Sequence, residues 1–310
     1  PMASSSTLNR LEWGSVEQDR YRKITWDGEA ADRFYVETFL SAWDRPPSRI
    51  VLDLDATDDR IHGHQEGRFY HGYYNSYCYL PLYIFCGDHL LCARLRPSNI
   101  DAPAGSVEEL ERIVGQLRKA WPEVEILIRA DSGFARETLM AWCEAHHVDY
   151  VLGLARNDRL VAEIEGDLEV VAERYRATQK PQRQFRDFTY QTRKSWSRSR
   201  RVVGKAEHLA KGSKPRFIVT SLSRQQIVGK ALYERVYCAR GEMENRIKEQ
   251  LLYLFADRTS AARMQINQLR LAFSSVAYTL LAELRRIGLA GTDMARARCD
   301  TIRLRLLKIA

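Results

Sequence analysis

The sequence predicts an α/β fold, a mixed sheet with helices on its faces, from three observations. Over residues 49–154 the apolar pattern changes in the order strand, hairpin, helix, strand, helix, strand. The pair Gly87-Asp88 separates two apolar, aromatic runs, residues 73–85 and 89–95, and glycine first in a two-residue loop is a hairpin signal. After Arg156 the period of two returns in residues 185–190, 196–203 and 217–222, so a small β-rich insertion is expected before the last helices.

Taken in order, residues 1–7 are small and polar and are expected to be disordered. Phe34, Phe39, Leu40 and Trp43 recur at helical spacing until Pro46-Pro47 ends the pattern, and this helix is expected beside the first strand. In that strand Ile50, Leu52 and Leu54 alternate with Val51, Asp53 and Asp55, so both acids share one face. A carboxylate at a strand end has two explanations. Thr57, Asp58 and Asp59 favour a turn whose side chains bind their own backbone, and a hard cation such as Mg²⁺ takes one or two carboxylates plus substrate phosphates.

Residues 62–68, with Gly63 and Gly67, read as a loop. The box Ser106-x-x-Glu109 is expected to cap a helix carrying Val107, Leu110, Ile113, Val114 and Leu117 as far as Trp121-Pro122. A buried strand over residues 126–129 ends at Asp131-Ser132-Gly133, followed by a helix over 136–147 and a strand over 150–154. Helical residues 160–175 precede the insertion. Beyond it come a long helix over 232–256 and another over 262–287, with Met264, Ile266, Leu269, Phe273, Val276, Leu280 and Leu284 as its core stripe and Gly288 and Gly291 as its stop. In residues 301–309 Ile302, Leu304 and Leu306 alternate with Arg303 and Arg305, which favours an edge strand over a helix.

The net charge of +8 suits a polyanionic partner better than a membrane surface. The surplus is local: residues 180–216 hold twelve lysines and arginines against two acids, Asp187 and Glu207. A solvated loop would explain that charge but not the interleaved Phe185, Phe188, Tyr190 and Trp196, which point to a folded surface facing a phosphate backbone. Arg193, Lys194, Arg198, Arg200 and Arg201 are its candidate phosphate contacts. Trp196 is either a face for an unstacked base or a core residue of the insertion. There is no run of eighteen apolar residues and no leader, and the six scattered cysteines form no C-x-x-C pair, which reads as a reduced cytoplasmic protein. A chain that starts at Pro1 is expected either to begin after processing or to be a piece of a longer chain whose N-terminal part is missing.

On the long helix, at 100° per residue from Glu244, Tyr237 falls at about +20°, Arg240 at about −40° and Lys248 at about +40°. One narrow face thus carries an acid, two cations and a phenol. An ordinary i, i+4 ladder on a solvated helix would look the same and contributes a few tenths of a kcal/mol per pair. The combination with Asp55 and Asp131 is more informative. Three carboxylates converging at a sheet edge could hold two Mg²⁺ ions for phosphodiester chemistry, and the basic chain points to nucleic acid. Glycosidases also pair carboxylates, but they have no need of a basic insertion. His62, His64 and His71 lack the spacing of a metal set, and Tyr70, Tyr73, Tyr74, Tyr77 and Tyr79 suit a sheet surface. Asn267 and Gln268 are DNA contacts or ordinary helix polars.

The runs LDLDATDD (residues 52–59), IRADSGF (128–134) and YCARGEMENRIKE (237–249) resemble the bacterial insertion-sequence transposases of the DDE class, in the subgroup with a Tyr-x2-Arg-x3-Glu-x6-Lys signature. The resemblance spans about residues 49–287. It implies a ribonuclease-H-like core interrupted by a β-rich insertion before the last acid. It further implies that Asp55, Asp131 and Glu244 bind two Mg²⁺ ions, with Mn²⁺ able to substitute, and that Tyr237 and Arg240 contact DNA. Asp55 is preferred to Asp53 because it opens the D-x-T turn Asp55-Ala56-Thr57. The signature's lysine position is Leu251, and Lys248 lies on the same face one turn earlier.

The expected organisation is an N-terminal remnant and helix (1–49), a first part of the catalytic core (50–155), the basic insertion (156–235) and the last part of the core (236–310). The expected function is a transposase, acting as a homodimer on double-stranded DNA in the nucleoid. It would cut at the element's terminal inverted repeats, pass through a hairpin and join the end to target DNA. The rivals are a nuclease on the same fold and an inactive DNA-binding remnant.

Overall fold

A computed structural model of the chain describes Ser6, Glu12 and residues 26–308. The expectation for residues 1–7 lies outside the described residues except at Ser6, as does that for the tail past residue 308. Helix α1 (Gly28–Ser41) begins at Asp27, whose carboxylate accepts a hydrogen bond from the Ala30 amide at 3.0 Å. Strand β1 (Arg49–Ala56) leads to three short strands, β2 (Asp59–Arg60), β3 (Phe69–His71) and β4 (Ser76–Tyr79), which pair with one another in a separate sheet. Then follow β5 (Leu82–Cys86), β6 (His89–Arg94), α2 (Ser106–Ala120), β7 (Glu125–Ala130), α3 (Glu137–Ala145) and β8 (Asp149–Leu154). Gly87 turns the β5–β6 hairpin at φ +58°, the positive value that the glycine-first signal anticipated.

The main sheet runs β6-β5-β1-β7-β8 and then continues. β1, β7 and β8 are parallel, while β5 and β6 form the antiparallel edge. This is the mixed sheet that was expected, with helices on both faces. Leu52, Leu54, Ile126 and Ile128 pack with Val36 and Phe39 of α1, Leu110 and Leu117 of α2, and Leu139 and Cys143 of α3. α1 itself lies mainly along β6. Tyr83 and Phe85 point the other way, into a second core with residues from the C-terminal helices.

The insertion does not fold apart from this sheet. After α4 (Asp158–Ala162) and α5 (Glu165–Thr178), strands β9 (Gln182–Tyr190), β10 (Arg200–Leu209), β11 (Gly212–Ser213) and β12 (Arg216–Thr220) extend it, because β12 pairs antiparallel with β8. Val151, Val203, Ile218 and Leu222 bury against Leu232 and Tyr233 of the following helix.

Residues 229–253 are helical throughout but not uniformly. Gly229–Ala231 is α6, Leu232–Tyr237 is a π turn, Cys238–Arg240 is 3-10, Gly241–Lys248 is α7, and Glu249–Tyr253 is a second π turn. Such wide turns inside helices are frequent at functional sites. Helix α8 (Met264–Glu283) follows, extended by a π turn over Leu284–Gly288.

Three local expectations fail, and one left open is decided. The cap of α2 is Gly105, at φ +76°, while the Ser106 hydroxyl donates to the Pro103 carbonyl and Glu109 pairs with Arg94 and Arg112. On α8, Phe273 and Leu280 are exposed, and Leu271, Tyr278 and Leu281 take the core instead. Asn267 and Gln268 are held inward. Asn267 bonds both backbone groups of Ala261, and Gln268 bonds Leu95 and Ala93. The tail is helical, as α9 (Cys299–Ile302) and a π turn over Arg303–Leu307, because Cys299 and Ile302 are fully buried three residues apart and alternation could not place both inward.

One buried acid ties the small sheet to the C-terminal half. Asp59 on β2 accepts a hydrogen bond from the Thr259 hydroxyl at 2.8 Å, and its Oδ1 has no partner among the described residues. Burial pushes its carboxyl up to about 7, helped by the negative Asp257 and Asp58. A raised carboxyl stabilises the fold below the unfolded value near 4, and that stability is lost as pH rises through 7. Asp59→Asn is therefore expected to raise stability at pH 8 by on the order of 3 kcal/mol and to change little at pH 4. Melting curves at the two pH values check this, and an equal shift at both would refute it.

Candidate active site

The resemblance placed three acids far apart in sequence at one site, and the register of the sheet accounts for two of them. Leu54 pairs with Ala130 across the parallel strands β1 and β7, so Asp55 and Asp131 leave the sheet side by side at its C-terminal edge. Asp131 then accepts a hydrogen bond from the Gly133 amide at 2.8 Å, which fixes its carboxylate at the start of a 3-10 turn. The third acid arrives on the helix of residues 229–253. Its Arg240 guanidinium lies 3.8 Å from the Asp55 carboxylate through Nη1 and 3.1 Å from Glu244 through Nη2. A single cation thus sits between the first and the last acid.

Asp53 is not available to that cluster. Its carboxylate takes both arms of Arg129, at 2.5 and 2.7 Å, and both side chains are buried. The third Arg129 nitrogen donates to the Val236 carbonyl at 2.6 Å, which ties the helix to the sheet face beneath it. The two acids differ in their partners: Asp53 is held in a buried ion pair with Arg129, whereas Asp55 faces Arg240. Arg129 carried no signal in the sequence, since an arginine inside a strand reads as a solvated edge.

Burial pushes the Asp55 carboxyl up to about 6, with Asp131 and Glu244 adding to the rise and Arg240 opposing it. Three carboxylates in mutual repulsion around one cation suit a hard divalent ion by donor chemistry. Among the described residues no three His, Cys, Asp or Glu side chains form a ready ion cage, and the Arg240 guanidinium is the stand-in cation between two of the acids. Carboxylate oxygens are the donor type that a hard divalent ion takes, and Arg240 stands between two of them. The His62, His64 and His71 set forms no cage either.

Tyr237 stands on the Asp131 side. A Cβ on Gly153 of β8 would lie 2.6 Å from the Tyr237 hydroxyl and 2.7 Å from the Ser132 amide nitrogen. Gly153 is thus what lets the phenol approach the turn after Asp131. Lys248 is exposed and without an ion-pair partner among the described residues. Leu251, at the signature's lysine position, packs instead against the second core. The second π turn rotates residues 249–253 relative to the face that carries Glu244.

The basic segment divides in two. Arg193, Lys194 and Arg198 are exposed, as a phosphate-facing role requires. Trp196, Arg200 and Arg201 are corrections. Trp196 is 6% exposed and packs edge to face on Tyr190 in the main core, so it offers no free face to a base. Arg200 is buried between Glu137 and Glu144 of α3, at 2.6 and 2.7 Å. Arg201 pairs with Asp187 and donates to the carbonyls of Leu222 and Ile227. Arg200 binds the insertion to the core and Arg201 ties the insertion's own strands together, because α3 and β9 bring acids that the linear count could not pair with them.

Among the described residues no helix is long and apolar enough to cross a membrane. No curated protein matches the sequence. Among solved structures, the fold is similar to that of a piggyBac transposase in a synaptic complex with hairpin DNA, determined by cryo-EM. The identity is 13%, the TM-score is 0.46, and the match covers 84% of this chain and 52% of that one. The chain therefore spans about half the length of that protein. Residues 1–310 match the family described as Transposase DDE domain group 1, and the protein belongs to that family.

Proposed function

We propose that the protein is the catalytic core of a DNA transposase that cuts at insertion-sequence ends and joins the freed end to target DNA. The observation that carries this reading is Arg240 between Asp55 and Glu244, with Asp131 following the neighbouring strand beside Asp55, in a chain of the DDE family. Two divalent ions, Mg²⁺ or Mn²⁺, held by these three carboxylates would activate the attacking oxygen and stabilise the leaving one. The chain's own cations place the strand. Arg240, Lys248 and the Tyr237 hydroxyl hold phosphates beside the acids, while Arg193, Lys194 and Arg198 hold the backbone farther out.

In the first step a water oxygen bonds to phosphorus and the 3′ oxygen leaves as a hydroxyl. That hydroxyl then attacks a phosphate of the opposite strand, releasing the flanking DNA as a 3′ hydroxyl and closing a hairpin. A second water attacks the same phosphate and frees the element's 3′ hydroxyl again, which then attacks a target phosphate and releases a target 3′ hydroxyl. The partner is double-stranded DNA, bound by two copies of the chain. Leu251 in the core favours a second reading, a non-catalytic DNA-binding protein, since the signature's ammonium is absent from that position.

Incubation with a duplex carrying an element end and Mg²⁺ separates the two. Nicked, hairpin and joined products are expected in that order of appearance. Nicks without joined products would make the protein a nuclease, and binding without any cut would make it the remnant.

A further inference from the structure

Beside the acids, on the Asp131 side, lies a cleft of about 300 Å³ of which the roles above use only the Tyr237 hydroxyl. It is bounded by the end of β8 and Arg156, by the link Lys214-Pro215 and Arg216 entering β12, and by Tyr233 and Tyr237 of the π turn. Arg156, Lys214 and Arg216 are all exposed, and none of the three has an ion-pair partner among the described residues. Five other arginines of the insertion, Arg183, Arg186, Arg198, Arg200 and Arg201, are ion-paired. The rings of Tyr233 and Tyr237 lie 5.5 Å apart and form the aromatic wall. Through Gly153 the Tyr237 hydroxyl is also in reach of the turn that follows Asp131, so the cleft and the acids share one wall.

We propose that this cleft is a single-strand subsite that receives one nucleotide of the DNA strand leaving Asp131. Its phosphates would lie on Arg156, Lys214 and Arg216, and its sugar and base on Tyr237. The volume is at the lower end of sites that take a small ligand, so it admits a nucleotide and no duplex. Three unpaired cations on one rim call for an anion, and a tyrosine wall suits any base because every base has a π face. The inference rests on the transposase reading above. It adds that the strand is frayed or unpaired next to the cut.

The test compares two fluorescein-labelled duplexes, one blunt and one with a single-stranded thymidine extension, by anisotropy over a range of salt. The proteins are the full chain and its triple variant Arg156→Gln, Lys214→Gln, Arg216→Gln. The full chain is expected to bind the extended duplex more tightly. The triple variant should lose that preference, with the slope of log K against log salt for the extended duplex falling by about 1.4, for the two phosphates that flank one nucleotide at about 0.7 each. Its blunt-duplex affinity and melting temperature should stay those of the parent. Retained preference in the folded variant overturns the subsite, as does a parent that binds both duplexes alike. If thymidine monophosphate alone binds and the extension adds nothing, the site is one for free nucleotides and the proposal also falls. In each of these cases strand cleavage by the parent still supports the transposase reading, whereas a parent that binds no DNA defeats both.

Discussion

Glu244→Gln is expected to lower strand cleavage about a thousandfold, roughly 4 kcal/mol of transition-state stabilisation, while DNA affinity stays within a factor of two. The reason is local. Glu244 is half exposed and its recorded partner is Arg240, so the amide removes charge without unpacking a core. Asp55→Asn and Asp131→Asn should behave alike, and combining any two should cost little more than one, because residues that act as a unit are non-additive. Cleavage of a labelled duplex in Mg²⁺, with anisotropy on the same variants, reads both quantities. A Glu244→Gln protein that cuts at the parental rate would remove Glu244 from the site.

Asp53→Ala should have the opposite signature, a loss of stability of about 3–5 kcal/mol, because it leaves the Arg129 guanidinium buried and unpaired. In a chain of this size that corresponds to a fall in Tm on the order of 10 °C. The replacement Asp53→Leu with Arg129→Met is expected to recover most of it, since two apolar side chains of similar volume need no partner. Differential scanning calorimetry of the single and double variants checks this, and a double variant as unstable as the single one would show that the ion pair is not the cause. Asp53 and Asp55 are two residues apart on one strand face, and the pair of experiments assigns them separate tasks: one acid holds the helix of residues 229–253 to the sheet through Arg129, and the other faces Arg240.

Much of this was legible in the sequence where the signal was local. Strand period, the glycine-first turn at Gly87 and the helical stripes predicted the order of elements and the mixed sheet. Three short motifs pointed to the acids, and the sheet register then set Asp55 beside Asp131. Signals weakened where the partner lay far away in the chain.

What the sequence by itself determined is the alternation of strands and helices, since periodicity depends on neighbours within a few residues, while Asp55, Asp131 and Glu244 are the acids that the resemblance implies. Tertiary structure alone decided the partners of the charges. Arg200 and Arg201 look like phosphate contacts until α3 brings Glu137 and Glu144, and β9 brings Asp187, to within ion-pair distance. Trp196 looks like a stacking face until β9 sets Tyr190 against it. Arg156, Lys214 and Arg216 looked no different from their basic neighbours until the fold gathered them, without acids, around one cleft. The physical reason is the same in each case: a charge or an aromatic face acts on whatever lies within a few ångströms, and chain order does not specify that neighbour.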